Sequence, residues 1–489
     1  MKYVKQFDEH DDYTLYVEDD PVLPNISKCD AERHVHYNPV KFKYIPLTFK
    51  VLSNGVIKFT ASNEEYTRTL QYNKNNTEWV SITSSLNGTE ISVEPGDEVA
   101  FKGDNTNGLS YWNGLSGDDN LEYFNTFRNT TCLFHLYGNI MSLIDSQDYV
   151  NATLSDTVEQ FAQLFYQVKG LRNAKNLILP NITQPYLYYS TFERSGITEA
   201  PYLPATTLAI GSYFQMFMAC NQLHSVQPIL QAETVPKNGY NNMFAETAIT
   251  KGPEIMATSV GDNGFWNMFE GCEKMTQGPS ILRPTDLSGT TQCYRGMFKE
   301  CYNLQTAPQL PATKVGKQSY LYMFQNCRSL VNPPALPATI LGEGCYSGMF
   351  NNCWTLASAP TLPATELGTQ CYYRMFLNCR ALTTAPALPA TTLTTSCYGL
   401  MFNGCTSLTA SPILPAPTLV ATCYQQMFSG CTSLNEITCY ASDFSATNCL
   451  QNWVSNVSST GTFIKDSTVT NWPTGNSGIP NNWTVQDAS

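Results

Sequence analysis

The chain has 489 residues, room for two or three domains, and only 14% of them are charged. A net charge of -12 excludes the basic footprint of a general nucleic-acid binder. No stretch approaches the roughly 18 apolar residues of a membrane-spanning helix, and the first residues, MKYVKQFDEHDDYTLYVEDD, lack the apolar run of a secretory signal peptide.

The expectation is a protein made in a cytoplasm, without membrane insertion, that leaves the cell, if at all, by a route such as host lysis. Residues 1–44 are acidic and read as an extended arm with little core of its own, a candidate attachment segment. Within it, His34 and His36 would share one face of a strand, and the run DEHDD spans Asp8 to Asp12. The reading with more weight is an exposed polar strand face and a solvated acidic patch, so no metal site is expected.

Residues 45–145 alternate apolar and polar residues in PLTFKVLSNGVIKFTAS, TLQYNKNNTEWVSIT and EISVEPGDEVAFKGDN. Asn54-Gly55 and Pro95-Gly96 mark turns between the runs. This predicts a small antiparallel β-sandwich that also acts as an N-terminal cap. YGNIMSLID, from Tyr137 to Asp145, reads as the passage from this domain to the first coil of a repeat.

Residues 146–440 repeat. The second residue of each MF falls at Phe298, Phe324, Phe350, Phe376, Phe402 and Phe428, a period of 26. Weaker copies place Phe269, Phe244, Phe217, Phe192 and Phe165 upstream, and NWVSNV places Val454 downstream. A period in this range means a solenoid, here of about 12 coils, or a propeller, whose blades need about 40 residues or more. In CYSGMFNNCWTL, the apolar residues Cys345, Tyr346, Met349, Phe350, Cys353 and Leu356 read as one face of a short helix. LASAPTLPAT is too short and proline-rich for a helix; Leu356, Ala359 and Leu362 would point inward from an imperfect strand. Stacked coils about 5 Å apart would make a rod of the order of 60 Å. Residues 441–489, with Trp472 and Trp483, read as a last degenerate coil and a C-terminal cap.

Thirteen of the 17 cysteines lie between Cys293 and Cys449, in register with the repeat. The two of one coil would stand about 12 Å apart along a helix, too far for a disulfide. Neighbouring coils bring like positions closer, but pairing there would use alternate coils and serve no clear need. No zinc-type spacing occurs. The favoured reading is a ladder of buried thiols, with disulfides the lesser alternative.

MFxGC(T)SL followed by LP resembles the BspA-like, treponemal-type leucine-rich repeat. The fuller wording, CYxxMFxGCTSLTxAPxLPATxL, resembles repeat proteins of gut Bacteroidetes and their phages, and the phrase at Pro24 to Pro39 resembles the opening of other gut-phage proteins. This chain departs from the usual pattern in its 26-residue period and in MF for AF. The resemblance implies an α/β leucine-rich-repeat solenoid. It also implies a phage virion protein, or a bacterial surface adhesin, that binds a host-surface glycan or protein.

No HExxH, GxSxG, P-loop or GxGxxG motif occurs, and the four Glu of residues 293–440 recur in no column. No enzyme and no cofactor are expected. The same region holds seven Lys and Arg. Its outward positions carry the candidate ligand-binding flank: Arg295, Lys299, Tyr322, Arg328, Trp354, Tyr373, Arg374 and Arg380. Arginine and aromatic side chains mixed with Ser, Thr and Asn suit sugar or protein surfaces, although surface residues of a repeat also drift. The alternative function is a structural or decoration role with the solenoid as spacer. The acidic arm would join other virion proteins and suits a homotrimer.

Overall fold

The structure, a computed structural model, describes residues 3–7, 13–17, 42–112, 122–154, 160–182 and 184–488. His10, His34, His36, the Asp8–Asp12 run and the Pro24 to Pro39 phrase lie outside the described residues. Of the arm, Tyr3–Phe7 and Tyr13–Val17 pair as an antiparallel hairpin. The chain divides into two compact units, Met1–Glu233 with Gly239–Met256, and Thr234–Asn238 with Ala257–Ser489.

In the first unit, the alternating stretches form two sheets. One has six strands, in the spatial order Leu171–Ile178, Phe134–Asn139, Leu47–Val51, Glu98–Lys102, Thr69–Lys74 and Trp79–Thr83. The other has four, in the order Thr89–Val93, Gly55–Ala61, Glu122–Thr126 and Ser110–Trp112. Phe49 from the larger sheet and Phe59 from the smaller both pack on Phe127, at 4.9 and 5.3 Å between ring centroids. The turns at Asn54-Gly55 and Pro95-Gly96 are present, but each carries the chain from one sheet to the other instead of closing a hairpin. The sandwich continues into the repeat: Phe134–Asn139 pairs in parallel with Leu171–Ile178. Phe127 stacks on Phe165 at 5.7 Å, and Phe165, Phe192, Phe217 and Phe244 extend that stack at 5.3 to 5.6 Å. The apolar end of the first coil is thereby covered, as a solenoid requires.

The repeat is a solenoid of 26-residue coils, but the expected helix of each coil is absent. The half-coil from Cys345 to Cys353 is a chain of tight turns. Alternate amides close four-residue turns: Ser347 to the Gly344 carbonyl (3.1 Å), Met349 to Tyr346 (3.2 Å), Asn351 to Gly348 (3.1 Å) and Cys353 to Phe350 (3.0 Å). The amides between them donate to the next coil: Tyr346 to Cys371 (2.9 Å), Gly348 to Tyr373 (2.8 Å) and Phe350 to Met375 (2.9 Å). A helix would spend every amide within its own coil; this arrangement divides them between turn closure and coil stacking. It needs a left-handed residue at every fourth position, here Gly344 (φ 58), Gly348 (φ 58) and Asn352 (φ 60). Equivalent left-handed residues recur in each coil from Gln163 and Gln167 to Asn452 and Asn456. Inward residues then recur every four positions, which places Cys345, Tyr346, Met349, Phe350 and Cys353 in the core.

In the second unit, two ring columns run through the stack. Phe298, Phe324, Phe350 and Phe376 follow one another at 5.5 to 5.6 Å. Tyr294, Tyr320, Tyr346 and Tyr372 do so at 5.7 to 5.8 Å. Both columns end on Trp453, which faces Tyr424 at 6.3 Å and Phe428 at 6.1 Å, and Trp472 closes over Trp453 at 6.2 Å. An asparagine ladder adds polar rungs: Asn378 Nδ2 donates to Asn352 Oδ1, and Asn352 Nδ2 to Asn326 Oδ1, each at 2.9 Å.

Cysteine has a bonding role beyond its size. The Cys353 thiol donates to the Phe324 carbonyl of the preceding coil at 3.0 Å. Cys327, Cys379, Cys405 and Cys431 repeat this contact at 3.0 to 3.1 Å. That carbonyl already accepts the Cys327 amide of its own coil, so the thiol occupies its second lone pair. The 16 cysteines among the described residues are buried and form no disulfide.

The proline-rich half-coil is extended, with a different inward set from that expected. Pro360, Leu362 and Ala364 alternate inward, whereas Ala359 is only half-buried. Short parallel pairing comes after the LPAT segment, at Asp286–Leu287, Lys314–Val315 and Ile340–Leu341. A four-stranded parallel sheet of Ala410–Leu414, Glu436–Cys439, Thr462–Lys465 and Thr484–Asp487, with a register shift between Ala410 and Ile413, closes the unit.

The left-handed positions provide a direct test. A methyl group on Gly348 would stand 2.5 Å from the Tyr322 ring and would add the left-handed penalty of an L-residue. Gly348→Ala is expected to cost about 1–2 kcal/mol, read as a lower urea midpoint at unchanged slope. A helical half-coil would instead be stabilised by alanine, so a rise in midpoint would contradict the turn ladder.

Candidate functional site

The most ordered surface feature of the second unit arises one residue beyond the buried cysteine column. There, successive coils present Tyr302, Arg328, Trp354 and Arg380, each 26 residues after the last. The Arg328 guanidinium lies 4.7 Å from the Tyr302 ring centroid and 4.3 Å from that of Trp354. Arg380 lies 5.3 Å from the Trp354 centroid. Trp354 thus interacts with two guanidiniums. Bonds between coils hold this column: Ser329 N–H to Tyr302 O (3.1 Å), Thr355 Oγ1 to Arg328 O (2.7 Å) and Ala381 N–H to Trp354 O (3.2 Å). Arg328, Trp354 and Arg380 are exposed, Trp354 at 38%, and Tyr302 is half-buried. Each cation–π contact contributes about 0.5–1 kcal/mol at such a surface.

The other expected flank residues fall into separate groups. Arg374 stacks on Tyr373 at 4.8 Å, and the Tyr373 ring lies over Gly399 of the next coil, where a methyl would meet it at 3.0 Å. Tyr322 lies over Gly348 in the same way. Arg295 stacks on Trp266 at 4.9 Å. Lys299 is engaged by Glu270, with Glu300 3.7 Å away. Of the eight residues, Arg328, Trp354 and Arg380 share one contact group, and Tyr373 and Arg374 form a second. Tyr302 and Trp266 belong beside these residues and were missed. Tyr302 is readable by offset from Phe298, whereas the 29-residue step from Phe269 to Phe298 hides Trp266.

Beside the ladder, an open groove of about 480 Å³ separates Ala357–Pro363 from Thr383–Pro389. No backbone hydrogen bond joins these two segments, because prolines interrupt the donors. Thr361, Thr383, Thr384 and Ser358 supply hydroxyls, and alanine and proline supply the apolar walls.

Elsewhere, His135 has its Nδ1 buried without a partner, and burial lowers its pKa. Among the described residues, no three His, Cys, Asp or Glu side chains converge as metal ligands. No helix among them is long and apolar enough to cross a membrane.

Residues 345–472 match the BspA type leucine rich repeat region, in six copies. No curated protein matches the chain. It is similar to a leucine-rich repeat protein from Bacteroides ovatus at 14% identity, over 78% of this chain and 89% of that one, with a TM-score of 0.37. It is similar also to one from Eubacterium ventriosum at 12% identity, over 70% and 92% of the chains, with a TM-score of 0.27. Within residues 345–472 the chain carries BspA-type leucine-rich repeats.

Proposed function

We propose that this chain is a non-catalytic binding protein of a phage virion whose repeat solenoid grips a glycan or protein on the host surface. The observation that supports binding is the ladder of Tyr302, Arg328, Trp354 and Arg380, an ordered row of cationic and aromatic side chains held open to solvent. A purely structural spacer has no use for such a row, and large aromatic and arginine side chains are the usual anchors of recognition surfaces. The wording shared with repeat proteins of gut Bacteroidetes phages supports the virion setting, with residues 1–44 as the contact to other virion proteins. The same surface would also serve a bacterial adhesin.

The test is binding of the labelled protein to intact gut bacteria, with and without their surface polysaccharide. Strain-selective binding is expected, and Trp354→Ala is expected to weaken it at least about five-fold. Loss of its two cation–π contacts should cost that variant about 1–2 kcal/mol of stability, so its folding is measured alongside. Absence of binding to every strain would favour the spacer role.

A further inference from the structure

The cations of residues 293–440 fall into two classes. Each lysine there has a carboxylate partner: Lys299 with Glu270, Lys314 with Asp286 (3.6 Å) and Lys317 with Glu343 (2.9 Å). None of the four arginines has one among the described residues; Arg295, Arg328, Arg374 and Arg380 each lie against an aromatic ring instead. An aromatic face orients a guanidinium without neutralising it, and leaves its planar fork of donors available to a carboxylate or sulfate. The side-chain ordering that binding would otherwise require is already complete. This occurs in a protein of net charge -12, so the unpaired arginines are a local exception.

Arg328 and Arg380 stand two coils apart, with Trp354 between them. The coil spacing there is 5.6 Å; the two guanidiniums, 4.3 and 5.3 Å from the Trp354 centroid, stand no further apart than those two distances together, a little under two coil spacings. A hexopyranose unit is about as long as one coil is deep. A sugar chain laid along the column would therefore place alternate residues at the arginines, with the sugar between them against the Trp354 indole. The row has defined ends. In the equivalent place, the coil before Tyr302 carries the exposed carboxylate Glu273, and the coil after Arg380 carries Thr406. Four rungs remain, the span of about four sugars.

We propose that this column binds an acidic polysaccharide carrying a carboxylate or sulfate on alternate sugars, through Arg328 and Arg380, with the intervening sugar against the exposed edge of Trp354. The proposal rests on the surface-binding reading above and names its ligand class. A repeating ligand matches a repeating row, a relation that an acidic protein patch would not reproduce.

The experiment is affinity electrophoresis of the full chain in gels holding hyaluronan or chondroitin sulfate (acidic on alternate sugars), polygalacturonate (acidic on every sugar) or dextran (neutral). Retardation by the alternating polymers and not by dextran is expected, with polygalacturonate weaker. R328Q/R380Q is expected to weaken retardation at least about ten-fold. K314Q/K317Q, which removes the same charge from ion-paired lysines, is expected to leave it within two-fold. No retardation by either alternating polymer, or equal losses in the two double variants, would overturn the proposal. Equal retardation by polygalacturonate would overturn the alternating spacing. Binding of R328Q/R380Q to whole bacteria separates the two readings: full binding there would reject this ligand site while leaving surface binding intact.

Discussion

Raising the pH from 8 to 10 under reducing conditions is expected to remove several kcal/mol of stability from the repeat. Burial pushes the thiols of Cys293 and Cys397 up from an ordinary 9.0 to about 11, and those of Cys431 and Cys439 to about 12. In the unfolded chain the same thiols ionise near 9.0, so above that pH unfolding releases protons. A raised acid pKa thus contributes stability that is complete below 9.0 and is lost as pH rises towards the folded value. Each thiol forfeits about 1.4 kcal/mol per pH unit in that window, or roughly 5 kcal/mol for these four by pH 10, comparable with the whole net stability of many domains. Buried Tyr294, Tyr320 and Tyr346, also raised, add to the loss above pH 10. Urea titrations at pH 8, 9 and 10 measure the slope directly. A midpoint that stays constant across this range would mean that the thiol columns are not buried as described.

Phe350→Ala should be among the most damaging single changes in the repeat. Phe350 is fully buried, with rings on both sides at 5.6 Å in Phe324 and Phe376. Its amide bridges to Met375, and its carbonyl accepts from the Cys353 amide and from the Cys379 thiol. Truncation leaves a ring-sized void between flat neighbours that cannot close without shortening the coil spacing. The expected cost is about 3–5 kcal/mol. Because a solenoid coil contacts only its neighbours, amide exchange should quicken first in Tyr346 to Cys353 and in the two adjoining coils. A loss below about 1 kcal/mol would mean that the ring column is not continuous at this point.

The same residues explain how much could be read in advance. The 26-residue spacing, the inward places of Cys345, Tyr346, Met349, Phe350 and Cys353, and the sandwich before the repeat follow from pattern, because burial repeats wherever the chain returns to an equivalent place. The helix did not survive. Inward offsets of 0, 1, 4, 5 and 8 fit a helix face nearly as well as they fit a four-residue turn period, and the difference is only 0.4 residue per turn. Gly344, Gly348 and Asn352 at every fourth position were the available sign against a helix, since glycine and asparagine are the residues that enter the left-handed region most readily. Gln370, Arg374 and Leu400 occupy equivalent left-handed places and blur that sign. In the site, Arg328, Trp354 and Arg380 share an offset and were placed on one flank. Their partners were not evident, because exposure alone does not separate the glutamate-bound Lys299 from the ring-stacked Arg328.

By itself, the sequence determined the period and the buried columns, since each depends on which residue types return at equal intervals. Tertiary structure decided what no interval contains: the destination of each backbone amide. Half of the amides in a turn segment bond to the next coil, so the local conformation exists only when another coil lies beside it. Stacking also selected, from eight outward side chains, the few whose cations face rings instead of carboxylates. That choice depends on side chains 26 residues away, brought to within a few ångströms by the coil spacing.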